Sequence, residues 1–222
     1  MYNKNITTRL FSTLSARTGL LGAALLGVSY ALNPGPPEGI TDVQLVAFGQ
    51  QHFTMIVWGA WLQAVGPFLI ILFALALVHL AGATQRLAGW MTMVGAIILM
   101  MVSLTEVVFY LSALYTQPAS MALISSEIAH AIQHLYFIVA APALFIPLGL
   151  VILSSTILPR ALGYFALAFG AAFFILGMVS LSSLILSAAV TSLAAIQAAW
   201  WLAAAFILLF RARKMPKDEV IK

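Results

Sequence analysis

Two carboxylates, Glu106 and Glu127, fall inside long apolar stretches of this 222-residue chain. An ionised group in hydrocarbon costs several kcal/mol unless it faces the interior of a bundle and finds partners there. Glu127, His130 and His134 follow an E-x-x-H-x-x-x-H spacing, which sets all three on one face of a helix. Gln133 and Ser126, close in sequence, fall outside that face. Counted from the turn near Gln117, Glu106 lies about 11 residues in and Glu127 about 10, roughly 15–17 Å along each helix at about 1.5 Å per residue. By the same rise His130 is about 4.5 Å and His134 about 10 Å deeper than Glu127, with His52 shallower. The expected site is an outward-facing Glu/His pocket formed by Glu106, Glu127, His130, His134 and His52.

Three chemistries use such a set. Carboxylate and imidazole ligands suit Zn, Fe, Mn or Cu, and Glu127 with His130 has the i, i+3 spacing of bundle metal sites. A di-iron site needs two Glu-x-x-His pairs and two further Glu residues, which this chain lacks. The metal expectation is therefore one mononuclear divalent ion on Glu106, Glu127 and His130. Haem is disfavoured, because His130 and His134 leave one side of one helix and cannot bracket a single iron. Glu/His acid–base chemistry, as in a membrane isomerase or hydrolase, is the second use. No G-x-S-x-G elbow or P-loop accompanies it. The third is binding of a small molecule. Against all of these stands a purely architectural role, in which both carboxylates bond to His and Tyr side chains and fix helix register.

The elements that must carry these residues follow from composition. Hydrophobic residues make up 63% of the chain and charged residues 7%, against about 25% charged in soluble domains. Sixteen charges cannot cover a water-soluble globule of this size. Six apolar segments are long enough to cross about 30 Å of hydrocarbon, over residues 12–32, 50–78, 87–114, 121–153, 160–184 and 187–211. The expected fold is an all-α polytopic membrane bundle of six transmembrane helices, one domain over 1–222. Asn33-Pro34-Gly35-Pro36-Pro37, Gln117-Pro118 and Leu158-Pro159-Arg160 mark turns. Pro67, Pro142 and Pro147 fall inside spans and predict kinks. Thr41 and Gln44 have capping-box spacing, which starts the second helix early as an amphipathic extension.

Orientation follows from charge. With the amino terminus inside, all ten basic residues lie on one side: Lys4, Arg9, Arg17, Arg86, Arg160, Arg211, Arg213, Lys214, Lys217 and Lys222. Glu38 and Asp42 fall on the other. The positive-inside rule makes both termini cytoplasmic. The first span resembles a signal peptide and is expected to be retained as a signal anchor. Cysteine is absent, which removes thiolate metal sites, disulfides and cysteine nucleophiles. The basic residues are too scattered for a nucleic-acid surface.

Packing faces are also readable. Gly163, Gly170 and Gly177 recur every seven residues, a seam for a close neighbour. His52, Gly59, Gln63 and Gly66 share one face, as do Thr92, Gly95, Ser103, Glu106 and Tyr110; both stripes are expected to face protein. The tryptophans and the methionines at 91, 93, 100 and 101 read as belt and filler residues. His134–Gly177 (HLYFIVAAPALFIPLGLVILSSTILPRALGYFALAFGAAFFILG) resembles the fourth and fifth helices of a bacterial six-helix membrane family known only as a domain of unknown function. The resemblance implies a bundle in the bacterial inner membrane and transfers no activity. The leading functional expectation is a membrane protein that binds a small molecule or metal ion. The competing ones are an accessory subunit, in a homo-oligomer or a larger membrane complex, and a membrane-embedded enzyme.

Overall fold

The computed structural model describes residues 4–32, 41–115, 119–180 and 187–214. They form α1 (Lys4–Leu32), α2 (Asp42–Gln51), α3 (Phe53–Leu80), α4 (Leu87–Tyr115), α5 (Ala119–Leu135), a π-helical turn (Tyr136–Ala140), α6 (Ala141–Leu153), α7 (Arg160–Ser180) and α8 (Ser187–Lys214). Among the described residues there is no strand. Six stretches are long and apolar enough to cross a membrane: Thr8–Leu32, Phe53–Leu80, Leu87–Tyr115, Met121–Leu153, Arg160–Val179 and Ala195–Lys214. These are the six expected spans, with ends moved by a few residues. The Pro-rich turn after α1, the Gln117-Pro118 turn, the last residues expected in the fifth span and the charged tail lie outside the described residues.

The spans run round a ring in which α1 packs on α3 and α8, α3 on α4, α4 on α5 and α6, and α6 on α7. The ring closes on a core of Phe73, Phe145, Phe173, Trp200 and Trp201, all nearly inaccessible. Phe145 contacts both indoles, with ring centroids 5.4 and 5.3 Å away. Six successive crossings return the chain to its starting end, so Lys4 and Lys214 share an end with the turns that carry Arg86 and Arg160.

Hydrophobicity cannot favour helix–helix contact over lipid contact inside a bilayer, so close packing and interhelical hydrogen bonds must hold the ring together. The glycines do the first. A methyl group on Gly22 would stand 2.9 Å from the Gly66 carbonyl oxygen, and one on Gly95 would stand 2.1 Å from that of Ala143. The seven-residue seam behaves as expected: Gly163 faces Gly149 and Leu153, Gly170 faces Ile146, and Gly177 faces Ile138. Hydrogen bonds do the second. Ser29 Oγ donates to the Gly59 carbonyl at 2.9 Å and Trp200 Nε1 to the Leu162 carbonyl at 3.0 Å. At the terminal end Arg211 donates to the carbonyls of Thr156 and Ile157, tying α8 to the α6–α7 turn.

Local chemistry sets the breaks. Gly82, at φ +63°, ends α3 in a Schellman motif, with the Ala83 amide donating to the Val78 carbonyl and the Gly82 amide to that of His79. Pro142 has no amide proton for the carbonyl of Ile138. The helix widens in the turn just before it, where the Ala141 amide donates five residues back to Tyr136. The expected disturbance at Pro142 is thus a π-turn that leaves the span continuous. The early start of the second helix is a separate element: α2 has the full Thr41–Gln44 capping box, and His52 is the hinge residue between it and α3.

Gly95→Ala is expected to destabilise the solubilised protein by about 2 kcal/mol or more, because the added carbon has only backbone to displace. Gly27, with nothing within 4 Å of such a carbon, is the control. Gly27→Ala should be neutral or gain up to about 1 kcal/mol from helix propensity. Thermal unfolding in detergent micelles compares the two.

Candidate functional site

The site is built where α5 lies on α4. The buried side of α5 consists of Ala122, Ser125, Ala129 and Ile132, small side chains that let the two helices approach. The Ser112 and Ser125 hydroxyl oxygens are 3.4 Å apart across this contact. Gln133, one turn beyond Ala129, continues the same side and donates from Nε2 to Glu106 Oε1 at 2.9 Å. Gln63 of α3 is a second hydrogen-bonding partner of that carboxylate. Ser103 holds the α3–α4 register at this level, donating from Oγ to the Gln63 backbone carbonyl at 3.1 Å.

Further polar groups complete the layer. Tyr136, the first residue of the π-turn, donates its hydroxyl to Oε1 of Gln197 on α8, and Gln197 is buried. Tyr136 and Tyr30 of α1 both lie within electrostatic range of Glu106. Side chains of α3 and α5 thus meet the Glu106 carboxylate of α4 in the half of the bundle away from the termini, and the Tyr136–Gln197 bond ties the π-turn to α8 nearby. In a low-dielectric interior such hydrogen bonds are strong, and a missing partner is correspondingly costly.

A cavity of about 70 Å³ adjoins this layer. Leu45, Phe48, Gly49 and Gln50 of α2 form its roof; Tyr110 and Leu114 of α4, and Ser126, Ala129, His130 and Gln133 of α5, form its walls. Gln133 therefore belongs to both the cavity wall and the Glu106 hydrogen bond. The space exceeds the minimum of roughly 10–15 Å³ that holds one water on this measure.

The residues expected from the sequence are distributed differently. Glu106 is enclosed as expected. Glu127 and His130 are exposed and His134 is half-buried. His130 reaches the cavity, whereas Glu106, Glu127, His134 and His52 are not among its lining residues, and Glu106 meets it only through Gln133. His52 stacks on Phe48 with centroids 4.6 Å apart, at the hinge behind the roof. Among the described residues no three His, Asp or Glu side chains come together as metal ligands. The mononuclear set of Glu106, Glu127 and His130 does not assemble because the E-x-x-H-x-x-x-H face of α5 turns away from α4. Length explains why Glu127 can remain exposed. The 33-residue span that contains it is about 50 Å long, roughly 20 Å more than the hydrocarbon needs.

Gln133, Tyr30, Tyr136 and Gln197 are absent from the sequence-based set. The signal for Gln133 lay in the Ala122/Ser125/Ala129 stripe, which marks the packed side of α5 better than its charges do. Tyr136 and Gln197 carry no local signal, since they meet across 61 residues. Family models, curated proteins and solved structures yield no match to this chain.

Gln133→Leu should destabilise the protein by about 1–3 kcal/mol, the cost of stripping a buried carboxylate of a hydrogen-bond donor. Glu127→Gln, on an exposed position, should stay within about 0.5 kcal/mol of the wild type. Equal losses at both positions in a denaturation series would contradict this placement.

Proposed function

We propose that this chain is a multi-pass membrane protein that binds a small molecule in the cavity beneath α2, with Gln133, held in place by Glu106 behind it, as the polar anchor. The single observation that carries the reading is that the amide that bonds to the intramembrane carboxylate also lines the cavity. A carboxylate kept only for helix register has no need of an adjoining space. Apolar side chains (Leu45, Phe48, Leu114) and a few convergent polar groups (Ser126, His130, Gln133) form the lining expected of a ligand pocket.

The basic end of the bundle lies in the cytoplasm of a bacterial inner membrane in this reading, supported by the confinement of every Lys and Arg to that end. The cavity then opens toward the outer face, where α2 lies over it. Among the described residues no three His, Asp or Glu side chains gather to hold a metal ion, and this reading uses none.

Photolabelling tests the proposal. A short-chain diazirine alcohol and the matching amine would be added to the solubilised full-length chain, with labelled peptides identified by mass spectrometry. At least one probe should label the segments 45–50 and 126–133, and Gly49→Leu should suppress that label several-fold. A methyl at Gly49 meets only the end of the Leu114 side chain, at 3.1 Å, so the larger residue fills the cavity from its roof. Label confined to the exposed Trp58 and Trp61 face, or unchanged by Gly49→Leu, would refute the proposal.

A further inference from the structure

The geometry points to a small primary ammonium compound, a short-chain amine in its protonated form, as the ligand of the cavity beneath α2. This inference rests on the proposed binding function and specifies its ligand class. Three independent features lead to it.

The first is the charge of that half of the molecule. No Lys or Arg occurs anywhere in the sequence between residues 18 and 85, 87 and 159, or 161 and 210. Every segment at the end opposite the termini is therefore free of basic residues, including the turns that lie outside the described residues. The same end holds Asp42, Glu106 and Glu127. A cavity with low-dielectric walls and charges of one sign concentrates counter-ions of the other. An anionic ligand would meet repulsion and find no cation to pair with.

The second is the way Glu106 is held. Its hydrogen-bond partners are the neutral amides of Gln133 and Gln63. These orient the carboxylate one hydrogen bond behind the Gln133 wall of the cavity, and no Lys or Arg at this end of the bundle pairs with it.

The third is the polarity of the lining. Gln133 commits its amide nitrogen to Glu106, which leaves its carbonyl oxygen as the group that can accept a hydrogen bond. Ser126 adds a hydroxyl oxygen and His130 an imidazole, each able to accept. A primary ammonium presents three donors and no acceptor, the complement of such a set. Leu45, Phe48 and Leu114 would enclose its alkyl part. The volume, about 70 Å³, suits a chain of a few carbons.

Isothermal titration of the full-length protein in neutral-detergent micelles, with empty micelles subtracted, tests the inference at pH 7. The probes are n-butylammonium, its neutral analogue 1-butanol and its anionic counterpart butyrate. Butylammonium is expected to bind at least ten-fold more tightly than 1-butanol, with butyrate weaker than both. Glu106→Gln should weaken butylammonium binding at least ten-fold more than it weakens 1-butanol binding. Gln keeps the size and an acceptor oxygen, and an unaltered thermal midpoint would show that the variant is folded. Should that variant misfold, Ser126→Asp, which adds a carboxylate to the wall and leaves the Gln133–Glu106 bond in place, should tighten butylammonium binding relative to 1-butanol. Binding of 1-butanol equal to that of butylammonium, or preference for butyrate, would overturn the ammonium inference and leave the cavity a binding site. Binding of none of the three, with no photolabel in the lining segments, would overturn both.

Discussion

A carboxylate within a helix bundle in hydrocarbon must be given hydrogen-bond donors, and that constraint organises the half of this molecule away from its termini. Glu106 satisfies it through Gln133 and Gln63. To bring both amides to one carboxylate, α3, α4 and α5 must hold a fixed register and rotation. Ser103 on the Gln63 carbonyl and the Ser112–Ser125 contact secure that register on either side. The position of the cavity follows, because turning Gln133 toward Glu106 also places Ser126, Ala129 and His130 beside the space that α2 covers.

The remainder of the bundle serves the same end by other means. Inside a bilayer neither lipid nor protein is the better solvent for leucine, so contacts form where backbones approach closely. Gly22 on Gly66, Gly95 on Ala143 and the three glycines of α7 supply such approaches. The aromatic centre of Phe73, Phe145, Phe173 and the two indoles fills what the small residues leave open. Among the described residues the π-turn before Pro142 is the one departure from regular helix inside a span, and its first residue, Tyr136, supplies the link to Gln197 on α8. A helix irregularity that prolines impose thereby joins the polar layer to the last span.

Most of the fold was legible in the sequence, and the reason is physical. Spanning helices need long apolar runs, and six such runs separated by Pro, Gly and charge leave little freedom. The glycine seam of α7 and the stripes through Gly59 and Gly66, and through Thr92, Gly95 and Ser103, were readable because small residues at helical spacing have few other uses in a membrane. The site was legible only in part. Glu106 stands out by its charge alone. The partner assigned to it did not follow, because the Glu127/His130/His134 pattern is a true helical face but not the packed one. Charge spacing shows which residues share a face; it does not show which way the face turns. That direction depends on where small residues permit contact, here Ala122, Ser125 and Ala129. The Tyr136–Gln197 bond depends on a crossing between distant segments, which no local pattern encodes.

The rotation of α5 is the claim on which the site rests, and the absence of cysteine from the chain makes it directly measurable. The hydroxyls of Ser112 and Ser125 lie 3.4 Å apart, within reach of a disulfide once both are replaced by cysteine. Oxidation of Ser112→Cys/Ser125→Cys in membranes should form an intramolecular bridge efficiently, while Ser112→Cys/Glu127→Cys should remain reduced under the same conditions. Efficient bridging at 112/127 with none at 112/125 would turn the Glu127 and His130 face of α5 toward α4 and contradict the pairing of Gln133 with Glu106.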